Sequence, residues 1–208
     1  MDKRVEHLIK VWQKRNILGF YCENKEKAQE KILEIIPPDA SIGFSGSVTL
    51  EQLDIAKALE ERGNKIISHN KPGLSREESL IIRRQATQAD YYLASANAIS
   101  ETGELVFFSA YGNRISGVSY ANNAIIVCGI NKITKDLEEA LKRSREYATP
   151  LNCKRLNFNT PCFKDGICRS EICLFPKYKR MCCQILIIEA EILPNRLKVI
   201  LIGEPLGF

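Results

Sequence analysis

The sequence predicts an α/β protein with a mostly parallel sheet flanked by helices. Three observations carry that reading. Short strand-like apolar runs alternate with helical stretches of about 10–15 residues, the rhythm of βαβ units. Some runs, such as residues 124–128 (Ala-Ile-Ile-Val-Cys), are apolar throughout, as strands buried on both faces are. Several of these runs end in Gly, Ser or Asn, the small polar residues that leave room at the carboxyl end of a strand.

In chain order, Val5, Leu8, Ile9 and Trp12 recur at helical spacing and predict a helix over residues 2–17. Gly19-Phe20-Tyr21-Cys22 reads as a strand. Ala28, Ile32, Ile35 and Ile36 mark a second helix, stopped by Pro37-Pro38. Residues 40–44 read as a strand, 49–62 as a helix ending at Gly63, and 65–68 as a strand. A helix over 75–88 follows, with Ser75 as its N-cap and Glu78 at the capping-box position. Residues 91–94, 105–108 and 124–128 read as strands. Leu137, Ala140, Leu141 and Ala148 share one face of a helix that should end before Pro150. The apolar runs 184–189 and 197–202, joined by Leu193-Pro194-Asn195-Arg196, read as a closing strand pair. Only residues 151–183 look irregular, a cysteine-rich insertion before the last strands.

The chain of 208 residues suits a single domain spanning 1–208. Its 45% apolar and 26% charged residues are those of a globular core-former and exclude a disordered chain. No apolar run approaches the length of a membrane span. The charged start, Met1-Asp2-Lys3-Arg4, lacks the apolar core of a signal peptide, so a cytoplasmic location is expected. The net charge of +5 is local. Residues 151–183 hold seven Lys or Arg against Asp165 and Glu171, so the rest is neutral. So mild an excess points away from nucleic acid and toward offsetting thiolates or a phosphorylated ligand.

Five clusters carry candidate chemistry. Gly43-Phe44-Ser45-Gly46-Ser47-Val48-Thr49 lies between a strand and a helix. Glycines there permit close backbone approach, and the hydroxyls of Ser45, Ser47 and Thr49 add donors suited to a phosphate or carboxylate. A plain strand–turn–helix with Thr49 as N-cap is the alternative. Asn97 and Glu101 follow the strand at 91–94, with Glu101 the candidate general base. Glu101 and Glu104 as solvated turn residues are the simpler reading. Gly112, Asn113 and Arg114 can open a helix bearing an anion clamp. Asn131 and Lys132 follow the strand at 124–128, again at a carboxyl end. Finally, six of the eight cysteines lie between Cys153 and Cys183. Cys162, Cys168, Cys173 and Cys182 could hold zinc or an iron–sulfur cluster. Reduced cysteines packed as small hydrophobes are the alternative. His7 falls on the polar face of the first helix, and His69 follows a strand.

Taken in order, these landmarks resemble the LUD, or lactate-utilisation, domain family over nearly the whole chain. The resemblance is carried by Gly43-Phe44-Ser45-Gly46-Ser47-Val48-Thr49-Leu50, Ser95-Ala96-Asn97-Ala98-Ile99, Gly112-Asn113-Arg114 and Gly129-Ile130-Asn131-Lys132-Ile133. It extends through Thr160-Pro161-Cys162, Arg180-Met181-Cys182 and Gly203-Glu204-Pro205-Leu206-Gly207-Phe208. It implies a Rossmann-like fold of the type of ribose-5-phosphate isomerase, CoA transferases and 5-formyltetrahydrofolate cyclo-ligase. It further implies a link to the oxidation of lactate to pyruvate beside iron–sulfur electron-transfer subunits, with an anionic ligand at the Gly-Ser loop. An isomerase, transferase or ligase acting on a phosphorylated metabolite, or a non-catalytic metabolite-binding module, are the alternatives. A homodimer is also expected. Ser45-Gly46-Ser47 stands where related members often have Gly-Gly-Ser, and four residues separate Cys168 from Cys173 where others have Cys-x-x-Cys.

Overall fold

A computed structural model describes residues 3–208; Asp2, at the start of the predicted first helix, lies outside them. Helix α1 (Lys3–Lys14) buries Val5, Leu8 and Trp12, the predicted stripe, and leaves His7 exposed. Strand β1 (Leu18–Cys22), α2 (Lys25–Ile35) and β2 (Ser41–Phe44) follow. The helix expected over 49–62 is two short ones, α3 (Val48–Gln52) and α4 (Ile55–Glu61). They are separated at Asp54, whose φ of 51° lies outside the right-handed helical region. The break lets Leu50, Leu53, Ile55 and Leu59 all reach one core.

Strand β3 (Lys65–Ile67) leads to α5 (Arg76–Ala86), with Ser75 and Glu78 forming the expected capping box. Next come β4 (Tyr91–Ala94), β5 (Ala98–Ser100), β6 (Leu105–Ser109), α6 (Asn113–Tyr120), β7 (Ala124–Gly129) and β8 (Ile133–Thr134). Helix α7 (Leu137–Arg143) does not stop before Pro150. It runs through a π-helical turn, Ser144–Ala148, into α8 (Thr149–Arg155). Pro150 is the second residue of α8, directly after the π-turn, where the hydrogen-bond pattern shifts. Helix α9 (Cys162–Asp165), β9 (Gln184–Ile188) and β10 (Leu197–Ile202) complete the chain.

The main sheet has six parallel strands in the order β1-β10-β7-β4-β2-β3. Its strand faces sort by period two. Ala124, Ile126 and Cys128 of β7 and Leu197, Val199 and Leu201 of β10 face a core shared with α1, α6 and the second sheet. Ile125, Val127, Ile200 and Ile202 face one shared with α2, α3 and α4. The second sheet has the order β8-β5-β6-β9.

The last two apolar runs are therefore not a strand pair. β10 lies between β1 and β7, while β9 runs antiparallel to β6. Burial explains the separation: all six residues of β10 are buried, as befits the middle of a parallel sheet, but most of β9 is exposed. No helix among the described residues is long and apolar enough to cross a membrane.

Gly43 belongs to this framework. A Cβ there would lie 1.9 Å from the carbonyl oxygen of Ala86, so the missing side chain is what lets α5 close on β2. Gly43→Ala should therefore lower stability by about 1–3 kcal/mol, the usual range for overpacking. The expected result is a lower urea midpoint with an unchanged slope.

Candidate functional site

The strand order reverses at β2: the chain moves outward to β3, then returns to β4 on the other side. At such a point the loops leaving adjacent strands diverge and open a crevice at the strands' carboxyl ends. Here the crevice receives the Gly46-Ser47 turn after β2, Ser95 after β4, and Lys132 in a 3-10 turn (Ile130–Lys132) after β7.

Lys132 is 3% exposed. Its Nζ donates to Thr49 Oγ1 (2.9 Å), Ser95 Oγ (2.8 Å) and the Ala96 carbonyl (3.3 Å). Burial pushes its pKa down to about 8, with the nearby Cys128 thiol opposing the shift and Arg143 and Arg114 adding to it. The ammonium is thus still charged at neutral pH but is held by neutral acceptors alone. Its charge acidifies the Thr49 and Ser95 hydroxyls as donors. Ser47 is the N-cap of α3, accepting from Leu50 N–H, so Thr49 is not spent on capping; its hydroxyl accepts from Lys132 and donates to the Leu206 carbonyl (3.4 Å). Gly207, at φ 62°, packs over Thr49 and Lys132 so closely that a Cβ would lie 2.4 Å from Thr49 Oγ1. Gly207 and Phe208 help enclose this pocket, whose volume is about 40 Å³.

A cavity of about 340 Å³ adjoins it, with Gly46, Asn97, Arg114, Asn152 and Arg155 lining both. Arg114 spans the boundary. It donates to the Gly46 carbonyl (2.6 Å), Asn97 Oδ1 (3.2 Å) and the Phe108 carbonyl (3.2 Å), so it fixes the Gly-Ser loop against the second sheet. Asn152 and Arg155 come from α8, which reaches the crevice only because the helix continues past Pro150. Ser45, His69, Arg83 and Asn113 line the larger cavity. Burial, with Arg83 and Arg114 nearby, pushes the His69 imidazole down to about 4, so it is neutral at pH 7. Neither lining contains an Asp or Glu. Among the described residues, Lys132, Arg114 and Arg83 take part in no ion pair.

The structure thus brings together Ser45, Gly46, Ser47, Thr49, Asn97, Asn113, Arg114 and Lys132 of the predicted set. Four others stand elsewhere. Gly43 packs under α5. Gly112, at φ 82°, is the N-cap of α6. Asn131 clamps the final segment, its Oδ1 accepting from Leu206 N–H (3.0 Å) and its Nδ2 donating to the Gly207 carbonyl (3.2 Å). Glu101 lies in the turn after β5 and lines neither cavity; its N–H donates to the Thr134 carbonyl (2.8 Å). That turn docks on α1, where Trp12 Nε1 donates to the Gly103 carbonyl (2.8 Å). Nor is Glu104 solvated. It is buried and paired with Arg15 (3.1 Å). Burial opposes its ionisation, but hydrogen bonds from Ser100, Thr102 and Arg15 outweigh that and hold its pKa at about 2.

His69, Arg83, Asn152 and Arg155 were not singled out in the sequence. Ser68 alone separates His69 from β3, so the histidine carried a strand-end signal. Arg83 reads as one more solvated residue on an amphipathic helix.

Of the cysteines, Cys153, Cys162, Cys168, Cys173 and Cys182 line one small cavity together with Arg145, Arg169 and Arg180. Burial pushes the Cys153 thiol up to about 12. Among the described residues, no three His, Cys, Asp or Glu side chains stand in a metal-binding arrangement.

If Lys132 supplies the charge for anion binding, affinity is full while it is protonated and lost as pH rises through about 8. Sulfate does not titrate in this range and is the suitable probe. Its affinity should fall between pH 7 and 9, and Lys132→Met should bind it at least about tenfold more weakly at pH 7.

The LUD domain family matches residues 5–202. The fold is similar to that of a DUF162 family protein from Deinococcus radiodurans, at 12% identity and a TM-score of 0.51, covering 96% of this chain and 94% of that one. Ribose 5-phosphate isomerase A from Neisseria gonorrhoeae matches at 17% identity and a TM-score of 0.37, covering 54% of each chain. The isomerase from Methanocaldococcus jannaschii matches at the same identity and TM-score, covering 55% of this chain and 56% of that one. No curated protein matches the sequence. With the family matched over nearly its whole length, the chain belongs to the LUD domain family.

Proposed function

We propose that this protein is a component of lactate or related 2-hydroxy-acid oxidation and binds an anionic ligand in the crevice at Lys132. One observation carries the reading: Lys132, Arg114 and Arg83 converge on a crevice whose lining has no Asp or Glu side chain. Buried cations are ordinarily paired because removing a charge from water is costly. A cationic crevice at a topological switch point is an anion site awaiting its counter-charge. The Lys132 pocket, with two hydroxyls beside an ammonium, suits a carboxylate with a neighbouring hydroxyl. Oxidation of the hydroxy acid to the 2-oxo acid releases two electrons and two protons; partner iron–sulfur subunits would take the electrons, and the protons would pass to solvent. The test is lactate-dependent reduction of a dye by the protein with its co-purifying partners. Activity should be present in the wild type and fall at least about tenfold in Lys132→Met. Equal rates in the two proteins, or none with lactate, would count against the proposal.

A second feature supports a metal. Five thiols line one small cavity, and thiolates are the preferred ligands of zinc and iron–sulfur clusters. Zinc suits a cavity of about 20 Å³, which has room for a single atom. The side chains would need to rotate to reach a common centre, and the raised thiol pKa of Cys153 means that binding would release protons. Metal and acid-labile sulfide analysis of anaerobically purified protein tests this. One equivalent of zinc without sulfide is expected; iron with sulfide would indicate a cluster instead, and metal-free folded protein would refute both.

A further inference from the structure

Ser45 Oγ, His69 Nδ1 and Arg83 Nε are the buried side-chain nitrogen or oxygen atoms that find no hydrogen-bond partner among the described residues. All three belong to residues lining the larger cavity. They come from separate elements: the end of β2, the end of β3, and α5. No local sequence pattern puts them together. Buried polar groups are nearly always satisfied, and each exception calls for a reason. Three exceptions around one cavity share a reason, namely a partner that occupies it.

The chemistry of that partner follows from the walls. Arg83 is steadied by a hydrogen bond from Nη1 to Ser79 Oγ (2.9 Å) and by stacking over the Tyr111 ring, 4.8 Å from its centroid. Among the described residues its guanidinium is in no ion pair. Ser45 is 4% exposed and has a hydroxyl to donate. The neutral imidazole of His69 can donate from one nitrogen and accept at the other. A cation flanked by neutral donors is the environment of a phosphate or a second carboxylate. Size agrees: a small hydroxy acid suits the pocket of about 40 Å³ and leaves the adjoining 340 Å³ unused.

We propose that the larger cavity is a second anion subsite, and that the crevice takes a phosphorylated 2-hydroxy acid. Its carboxylate and hydroxyl lie at Lys132, Thr49 and Ser95, and its phosphate lies against Arg83, Ser45 and His69. This rests on the reading of the Lys132 pocket as an anion site. A simple hydroxy acid occupies the first compartment alone and binds more weakly.

Two matched pairs test it by calorimetry on the full chain: glycerate with 3-phosphoglycerate, and gluconate with 6-phosphogluconate. Each pair differs only in the phosphoryl group, and the two lengths bracket the spacing between subsites. In the wild type, at least one phosphorylated acid should bind at least about tenfold tighter than its partner. Arg83→Met should reduce that ratio to below about threefold, and Ser45→Ala should lower it less. Lys132→Met should weaken both members of a pair. Melting curves establish that each variant is folded, and Ser45→Ala carries the test if Arg83→Met is not. Equal affinities within both pairs, or a ratio that survives Arg83→Met, would overturn the second subsite while leaving the Lys132 site standing. Affinities untouched by Lys132→Met would instead overturn the Lys132 reading. A wild type that binds none of the four removes the proposal, and its sulfate affinity then decides the Lys132 site separately.

Discussion

The buried ammonium of Lys132 holds the crevice together. Its three hydrogen bonds reach Thr49 on the element after β2 and Ser95 and Ala96 after β4, while its own backbone follows β7. One side chain thus ties the ends of three strands that are neighbours in the sheet. All its acceptors are neutral, so the bonds orient the charge without cancelling it. The final segment depends on the same arrangement. Gly207 fits over Thr49 and Lys132 only for want of a side chain, and Asn131, next to Lys132, holds that segment in place.

Around this centre a π-turn and the start of α6 bring further groups to the crevice. The π-turn at Ser144–Ala148 carries the helix past Pro150 and delivers Asn152 and Arg155. Such turns are often found at functional sites. Arg114 at the start of α6 binds the Gly46 carbonyl and so couples the Gly-Ser loop to the second sheet through Asn97. By contrast, the carboxylate of Glu104 lies at the other end of β5, where it pairs with Arg15 and helps lock a turn onto α1. Acid chemistry and cationic binding are therefore kept apart.

Much of this was legible in the residues. The parallel sheet follows from all-apolar runs such as 124–128, because only strands covered on both faces lack alternation. Ser75 and Glu78 fixed the start of α5 by local chemistry alone. Thr49 and Lys132 could be read as site residues because each lies in the short segment that leaves the carboxyl end of a strand. What escaped was long-range. β9 and β10 look like a hairpin in sequence, yet their partners, β6 on one side and β1 and β7 on the other, lie far away along the chain. Glycine was ambiguous: Gly43 and Gly46 stand in one motif, but Gly43 serves packing and Gly46 lines the crevice. Glu101 shared the same strand-end logic as Asn97, but β5 intervenes and carries it to the opposite end of the second sheet.

The most direct test of an uncompensated cationic crevice is to see where an anion settles. Crystals soaked in selenate, read by anomalous scattering, should show a peak within hydrogen-bonding distance of Thr49 and Ser95, over the Lys132 ammonium. Selenium confined to exposed Lys and Arg side chains, with the crevice unoccupied, would contradict the assignment of this site.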